Sequence, residues 1–401
     1  VNGETMNALD GIVILDMTRV YSGPFSTMLM ADMGAEVIKI EIPGKGDDTR
    51  GYGPFVNGES LYYANVNRNK KGVTLNVKSA EGKAMFLELV KKADIVVENF
   101  RPGVMAHLEL DYERLSEINP AIIMGSISAF GQSGEYSTRP GYDIISQAMG
   151  GLMSITGYPD NEPTRSGNAI GDVLSGISLT VGLLAALHAR SITGRGQHVD
   201  VALADSVIMS LENATMRYFA TGKEPERMGN RYAAVSPYDS FKASDGYFVL
   251  GCANQKLYEA FCRDAIKRPG LISDARFTDI PHRLQNQAEL HEIIQSWAAG
   301  FTVEEIVGLI LAAGVPAAPV FTIGQVVNNR YYNEERNMFP TVHHPVIGEM
   351  HVNGCHIKMS DTMPAVRSCA PALGEHNVAV YGEMLGISAK ELEGLKERGV
   401  I

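Results

Sequence analysis

An aspartate beside a long apolar segment is the residue with the clearest potential for chemistry in this sequence. Asp172 follows Gly171 and stands directly before the apolar segment that begins at Val173. In that place its carboxylate could cap a helix by accepting backbone N–H groups of the first turn. The positive end of the same helix would also favour an ionised carboxylate that attacks a reactive carbonyl such as a thioester. The position suits both a structural cap and a nucleophile.

A second candidate is the segment VVENFRPGV at 96–104, which turns through Pro102 and Gly103 after a strand pattern. Ligands of open α/β sheets bind at the carboxyl ends of the strands, where such a turn would lie. Asn99 and the backbone amides could hold an adenine or a phosphate, and Arg101 could meet negative charge. A simple turn with a solvated arginine explains the segment equally well.

The run 67–78 adds four cations next to a predicted strand: Arg68, Lys70, Lys71 and Lys78. The simpler interpretation is a solvated basic face. A phosphate-rich ligand would use the same charges, because ammonium and guanidinium groups form strong hydrogen bonds with phosphate oxygens.

Other kinds of active site are disfavoured because their motifs are missing. Residues 17–25, MTRVYSGPF, contain one glycine, so the GxGxxG turn of a nicotinamide enzyme is lacking even though Glu41 could mimic its ribose-binding acid. No GxSxG hydrolase elbow occurs. The pair His343-His344 and the four scattered cysteines lack the spacing of metal or redox sites. We expect no metal ion and reduced thiols.

The strand and helix patterns around these residues predict an α/β fold. Short β-branched runs alternate with helical patterns, and strands separated by helices indicate βαβ units in a largely parallel sheet. The predicted strands are 12–16, 36–41, 73–77, 94–100 and 121–128. Long apolar helices follow at 173–190 and 202–220, separated by the polar turn TGRGQ at 193–197.

A smaller domain is predicted to interrupt this fold. A hairpin pattern occurs around Asp245-Gly246, and helical patterns follow at 284–299 and 303–313. The C-terminal part, with the strand pattern GEMHVNG and a helix at 373–385, is too small to hold a core alone. We therefore predict a large domain built from 1–222 and 330–401, with a smaller α/β domain, 223–329, inserted between them.

Composition and charge limit the partners. A net charge of −11 argues against a nucleic-acid partner, which would require a clustered basic face. The apolar stretch 176–187 is shorter than the roughly 20 residues of a membrane-spanning helix, so we expect a buried helix and no membrane partner. The N-terminal residues lack the pattern of a secretory signal, and we expect a cytoplasmic protein.

Several motifs together resemble those of the class III CoA-transferases, a family that includes formyl-CoA transferase, carnitine CoA transferase and 2-methylacyl-CoA racemase. They are LDMTRVYSGPF, GAEVIKIE, GDDTRGYGP, NRNKKGVTLNVK, ADIVVENFRPG, FGQSG, RPGYDIISQAMGGLMSITG, GDVLSG, TGRGQHVDVALAD, APVFTIGQV and PALGEH. They follow the family's order along nearly the whole chain, and the N-terminal half is most similar to the succinyl-CoA:glutarate branch. The resemblance implies a Rossmann-like large domain, an interlocked, ring-like homodimer, and coenzyme A, carried as an acyl-CoA, as co-substrate of a carboxylic acid.

The same resemblance assigns roles to individual residues. It implies that Asp172 is the catalytic nucleophile. The positions that match the family's CoA contacts are Tyr21, Ser22, Leu75, Lys78, Asn99, Phe100, Arg101, His107 and Ser128. Formyl-CoA transferase has Gln where this chain has Tyr21, and Arg where it has His107 and Ile42, so the acyl pocket is expected to differ.

The implied reaction moves CoA from one acid to another. Asp172 attacks an acyl-CoA, which gives a mixed anhydride and CoA thiolate, and the reaction continues through an aspartyl-CoA thioester or in a retained ternary complex. The similarity to the glutarate branch, with Arg19 and Arg50 in nearby motifs, predicts small dicarboxylic acids. The alternatives are a racemase of the same family and a CoA-binding protein without turnover. Family racemases carry His before Asp where this chain has Tyr142, and imidazole is the better base near neutral pH.

Overall fold

The structure is a computed structural model that describes residues 6–401, and these residues form two compact units. Unit 1 comprises the described residues through Leu152 together with Ser166–Glu212 and Arg330–Ile401. Unit 2 comprises Met153–Arg165 and Asn213–Asn329. Unit 2 ends where the predicted inserted domain ends, but it begins ten residues before residue 223 and also takes in a short earlier segment.

Contacts inside unit 2 explain why that earlier segment belongs to it. The N–H of Gly229 donates to the carbonyl of Gly157 over 2.9 Å. The guanidinium of Arg227 donates to the carbonyl of Asn161 over 2.6 Å. Both hydrogen bonds are accepted by backbone carbonyl groups and join segments far apart in the chain, so no local sequence pattern predicts them.

Unit 1 is built on a six-stranded parallel sheet. Its chain segments contain β1 (Val13–Asp16), β2 (Glu36–Glu41), β3 (Phe55–Val56), β4 (Glu59–Ser60), β5 (Lys70–Thr74), β6 (Ile95–Glu98), β7 (Ile123–Ser128) and β8 (His198–Ala202). The sheet has the order β5-β2-β1-β6-β7-β8, and β3 pairs separately with β4. This is the doubly wound order, in which the chain direction across the sheet reverses between β1 and β6. The predicted α/β fold with a parallel sheet is confirmed.

Helices cover both faces of the sheet. They are α1 (Ser22–Asp32), α2 (Leu61–Val66), α3 (Ala80–Val90), α4 (Val104–His107), α5 (Tyr112–Ile118), α6 (Asp143–Met149), α8 (Ile170–Thr193) and α9 (Leu203–Met209), whereas all but the first residue of α7 (Leu152–Ile155) belong to unit 2. Residues of α1 and α8 pack in the core on one face, and residues of α3 and α5 pack in the core on the other. A short 3₁₀ turn, Asp48–Gly51, follows β2.

Unit 2 has its own three-stranded antiparallel sheet and core. Its elements are α10 (Asn213–Thr221), β9 (Tyr238–Lys242), β10 (Tyr247–Gly251), α11 (Gln255–Ala260), α12 (Gly270–Ser273), α13 (Ile280–Gln285), α14 (Gln287–Ala298), α15 (Val303–Ala312), β11 (Ala317–Pro319) and α16 (Ile323–Val327). A π-helical turn, Phe261–Ala265, lies between α11 and α12. The predicted hairpin is confirmed, because β9 and β10 pair in antiparallel register across Asp245-Gly246.

The C-terminal segment completes unit 1. It contains a second π-helical turn, Tyr331–Glu335, then β12 (Thr341–His344), β13 (Gly348–His351), α17 (Asn377–Leu385) and α18 (Ala389–Glu397). Val380 and Leu392 join the same core as α3 and α5. As expected from its size, this part returns to the large unit rather than forming a core of its own.

Three predictions about individual elements need correction. The third sheet strand is 70–74 rather than 73–77. Lys70 is a buried strand residue, but its charge is not typical of a buried strand and so its place was missed. The strand β8 was missed, since HVDVA follows a polar turn and lies at the sheet edge. The helix predicted at 202–220 is divided into α9 and α10, with Glu212 in the left-handed region at a φ of 51°.

By length and composition alone, one described helix, α8, could cross a membrane. A second candidate exists only if α14 and α15, which are bent by 115°, are counted together. Leu179 and Leu183 of α8 are fully buried against the sheet, whereas Val181 is 61% exposed and Ile192 is 74% exposed. The predicted buried helix is therefore buried on one face and open on the other.

The predicted basic face at 67–78 is wrong for two of its four cations. Arg68 is buried and pairs with Asp32 over 2.7 Å. Lys70 is also buried and pairs with Asp16 over 3.0 Å. Such charges are removed from water and stabilised by their partners, so they are not available to a ligand.

Replacing Lys70 by methionine is expected to lower the free energy of unfolding by about 3 kcal/mol, because it leaves the buried Asp16 carboxylate with one cation fewer. Lys71→Met is the matched control. Its ammonium pairs with Glu36 at the surface, where both side chains are about 40% exposed, so we expect a loss of about 0.5 kcal/mol or less. Urea unfolding of both variants measures the difference, and equal losses would contradict the assigned role of Lys70.

Candidate active site

Two loops meet where the strand order reverses. Residues 17–21 follow β1, and Asn99 to Arg101 follow β6. The Asn99 side chain joins the loops, since it accepts from the Arg19 N–H over 2.8 Å and donates to the Arg19 carbonyl over 2.7 Å. Both loops line a cavity of about 380 Å³. The cavity thus lies at the switch point, where doubly wound sheets bind their ligands.

Asp172 lines this cavity from the first turn of α8. The helix begins at Ile170 and its N-cap is Ala169, so the interpretation of Asp172 as the capping residue is wrong. The side chain reaches the cavity because α8 and α1 cross closely. A Cβ on Gly176 would lie 2.8 Å from the carbonyl oxygen of Ser22, and Asp172 is one helical turn earlier on the same face.

Burial, together with the smaller effect of the nearby Asp143 carboxylate, raises the pKa of the Asp172 carboxyl to about 7. The helix N-terminus was expected to favour the ionised form, but desolvation outweighs it here. Asp143 is held in place, since it accepts from the Gly171 N–H over 2.8 Å and from Gln147 Nε2 over 2.7 Å. An ionised Asp172 is therefore a poorly solvated and reactive carboxylate.

Aromatic side chains flank Asp172, and most of them were not predicted. Tyr21 stacks on Phe25 with ring centres 5.6 Å apart, and Tyr62 lies 5.8 Å from Tyr21. Burial and then the charge of Asp172 raise the pKa values of both tyrosines. Tyr62 and Tyr52, which contact each other, were missed. The paired tyrosines at 62–63 were visible in the sequence, but nothing there tells which of the two faces the site.

The structure brings most of the predicted CoA positions together. Tyr21, Ser22, Asn99, Phe100, Arg101 and Ser128 all line the cavity that contains Asp172. Leu75 and Phe100 line an adjoining apolar pocket of about 70 Å³. Lys78 and His107 are exposed and line neither space. Their roles as CoA contacts stay predictions.

Cations and unpaired donors face the same cavity. Its lining includes Arg19, Arg101 and Arg139. Among the described residues, the buried Nε of Arg19 and the hydroxyl of Ser128, a residue 6% exposed, have no hydrogen-bond partner. Both groups therefore keep an unused hydrogen-bond donor beside the cavity. None of the residues that line this cavity is a histidine.

Arg50, the other arginine proposed for the acid substrate, lies elsewhere. Its guanidinium forms two hydrogen bonds with Glu41, of 2.8 and 2.7 Å, and a third with the hydroxyl of Tyr63. It also stacks on the Tyr63 ring. Its donors are occupied by the structure itself, so the prediction that Arg50 approaches the substrate is not supported by its contacts.

The fold and the site together define an α/β enzyme with a carboxylate at the switch point of a doubly wound sheet. A family model described as CoA-transferase family III matches residues 9–377, so this chain belongs to that family. Its similarity to an acetyl-CoA:oxalate CoA-transferase of Acetobacter aceti is 41% identity over 383 residues, which covers 95% of this chain and 97% of the relative.

Two further comparisons agree. A succinyl-CoA:glutarate CoA-transferase of Mus musculus is 37% identical over 405 aligned positions, which cover 99% of this chain and 91% of the relative. The crystal structure of a CAIB/BAIF family protein from Brucella suis superposes with a TM-score of 0.83 and 35% identity, over 94% of this chain and 100% of that one. The resemblance to the class III family and to its glutarate branch is confirmed.

Asp172→Asn is expected to stabilise the protein at high pH. Because the carboxyl pKa rises from 3.8 to about 7 on folding, the wild type loses stability as the pH increases from about 4 to about 7, and keeps that loss above it. The amide has no charge to bury, so the variant should gain about 1–3 kcal/mol at pH 8 and nothing at pH 4.

Urea unfolding at the two pH values measures this difference. Asp205→Asn is the control, since Asp205 is an exposed aspartate in the first turn of α9. If Asp172→Asn gave the same change at both pH values, or none, the buried state of this carboxyl would be refuted.

Proposed function

We propose that this family III CoA-transferase moves CoA from an acyl-CoA donor such as succinyl-CoA to a small dicarboxylic acid, with Asp172 as the nucleophile. The observation that carries the proposal is the partly buried Asp172 carboxylate in a cavity lined by Tyr21, Asn99 and Arg101. CoA is the co-substrate that the family implies. A thioester and the phosphates of its carrier would match such a lining.

The first chemical step is attack by the Asp172 carboxylate on the thioester carbonyl. An oxygen of Asp172 bonds to that carbon, the carbonyl electrons move to its oxygen, and collapse of this intermediate expels CoA as a thiolate. The product is a mixed anhydride, which splits one difficult exchange into easier steps. Attack of the thiolate on the aspartyl carbonyl then releases the donor acid and leaves an aspartyl-CoA thioester.

The acceptor acid reverses these two steps. The acceptor carboxylate attacks the aspartyl thioester, expels CoA thiolate and leaves a mixed anhydride of Asp172 and the acceptor. The thiolate then attacks the acceptor carbonyl of that anhydride, which gives the new acyl-CoA and frees Asp172. The tetrahedral oxyanions need hydrogen-bond donors placed in advance. The N–H groups of Ser22 and Gly23 in the first turn of α1 are suited to this, since that turn adjoins the crossing with α8.

Two buried donors support a dicarboxylic acceptor. The unpaired Nε of Arg19 and the unpaired Ser128 hydroxyl could bind a second carboxylate while the first one reacts at Asp172. Arg19 is held for this by its Nη1, which lies 3.1 Å from Asp48. Relatives named for oxalate and for glutarate act on dicarboxylic acids, which agrees with this assignment.

The proposal predicts that Asp172→Ala lowers CoA exchange by at least about a thousandfold, because Asp48, the other acid that lines the cavity, is paired with Arg19 and Lys45. The assay incubates the enzyme with succinyl-CoA and each of oxalate, glutarate, acetate and butyrate, and detects new CoA esters by mass spectrometry. Hydroxylamine added with an acyl-CoA should inactivate the wild type by trapping the anhydride or thioester. Substantial exchange by a folded alanine variant would refute the nucleophile, and turnover of only the monocarboxylates would refute the acceptor class.

A racemase is the second candidate. It is disfavoured because none of the residues that line the cavity is a histidine. Racemisation needs a base for the α-proton, and the position expected to carry it is Tyr142, whose side chain lines the cavity and is largely exposed. We expect no α-deuterium in a 2-methylacyl-CoA incubated with enzyme in deuterated water, beyond the level of the Asp172→Ala control. Rapid enzyme-dependent incorporation would instead establish the isomerase.

We also propose a homodimer, with the interlocked arrangement as the form that the family resemblance implies. The support is a set of large apolar side chains that unit 1 leaves exposed on α8 and α9. On unit 1, Val181 and Ile192 of α8 are 61% and 74% exposed, and Met209 of α9 is 86% exposed. The molar mass in dilute solution, measured by light scattering, tests the dimer.

A further inference from the structure

Glu98, the last residue of β6, is a buried acid that the proposed chemistry does not use. Its side chain is 2% exposed, and no lysine or arginine pairs with it among the described residues. Its carboxylate accepts from the Phe100 N–H over 2.7 Å, and the nearby hydroxyl of Ser126 on β7 lowers the pKa of the acid. An unpaired buried acid costs stability, which suggests that its position serves another purpose.

The acid lies directly beneath the turn that lines the active site. The bond to Phe100 fixes the middle residue of the turn, while Asn99 before it holds the backbone of Arg19 and Arg101 after it lines the cavity. The hydrogen bond that Glu98 accepts from Phe100 therefore affects the position of both loops at the switch point.

Ser126, the register partner of Glu98 on β7, contacts an imidazole on the edge strand of the sheet. The Ser126 hydroxyl lies 2.9 Å from Nε2 of His198 on the edge strand β8, and the imidazole stacks on Tyr112 of α5. Burial lowers the pKa of His198, against the opposing effects of Asp200 and Glu113, so the ring is not a cation that offsets the acid.

We propose that Glu98 is a positioning residue whose ionised carboxylate holds the Asn99–Arg101 turn in the geometry that binds CoA. The inference rests on the proposed CoA site. The charged and titratable neighbours are Asp200 on β8, which repels the carboxylate, His198 reached through Ser126, and Arg101 in the turn itself. Burial is the main reason that the pKa of Glu98 rises to about 7, so the acid changes charge within the working range of most enzymes.

Protonation of Glu98 should weaken the hydrogen bond that it accepts from the Phe100 N–H, because a carboxylate accepts hydrogen bonds more strongly than a neutral carboxyl or amide oxygen. Glu98→Gln keeps the shape and a neutral acceptor but cannot ionise. The ratio of the CoA dissociation constants, variant over wild type, is therefore expected to rise from about 1 at pH 6 to about 5 at pH 8. Taking this ratio at each pH cancels the titration of CoA itself.

Stability should change in the opposite direction. A carboxyl with a raised pKa loses stability as the pH rises from its unfolded value towards its folded value. Glu98→Gln is thus expected to melt at a higher temperature than wild type at pH 8 and at a similar one at pH 5. A residue that served only to stabilise the fold would give the reverse at pH 8.

The experiment measures free-CoA binding by calorimetry between pH 6 and 8.5, thermal melting at pH 5 and 8, and KM and kcat for acyl-CoA at pH 8. Most of the loss in kcat/KM should fall on KM. Glu109→Gln, at an exposed acid paired with Lys83, is the control and should follow wild type throughout. Ser126→Ala removes a hydroxyl that lowers the pKa of Glu98 and should move the pH dependence of binding to higher pH.

The outcomes separate this inference from the proposed function. Wild-type protein that fails to bind CoA would refute the proposed site itself. Wild-type binding with a constant variant ratio from pH 6 to 8.5, or a lower melting temperature of Glu98→Gln at pH 8, would refute the role of Glu98 alone.

Discussion

Two buried lysine–aspartate ion pairs set the geometry on which the rest of unit 1 depends. Lys70 pairs with Asp16 over 3.0 Å and Lys39 pairs with Asp47 over 2.9 Å, and all four side chains are removed from water. Although burial alone would raise the pKa of Asp16, Lys70 and Lys39 lower it. The four charges lie where β1, β2 and β5 adjoin one another, so they connect the first three strands of the sheet to the loop that follows β1.

That loop has an unusual backbone, which the charged network holds in place. Val20 has a φ of 68°, a conformation that costs a β-branched residue about 1–3 kcal/mol. Its N–H donates to Asp47 over 3.2 Å, and the carbonyl of Thr18 accepts from Lys39. The bent loop lets α1 begin at Ser22, close to α8 at the glycine crossing. The position of Asp172 beside Tyr21 follows from this arrangement.

Much of this fold can be predicted from the sequence, and the features that were missed depend on contacts between residues far apart in the chain. Four strands of the sheet are apolar and β-branched, and their predicted bounds are close to those observed. Lys70 hid the start of β5, because an ion pair with a distant aspartate cannot be seen from local pattern. The family motif located Asp172, but its burial and the neighbouring Tyr62 arise from the crossing of two helices that are far apart in the chain.

Four buried or partly buried acids of unit 1 differ in whether a lysine is buried with them. Asp16 and Asp47 have lysine partners, which lower their pKa values, and both hold backbone in place. Asp172 and Glu98 have none, and burial raises the pKa of each to about 7. A paired acid is locked in its ionised form and stabilises the native state across the neutral range. An unpaired acid keeps its reactivity and its sensitivity to pH, at a cost in stability that the paired acids elsewhere in the same sheet help to offset. Among these four acids, then, the two with buried lysine partners stay ionised, whereas Asp172 and Glu98 can change charge near neutral pH.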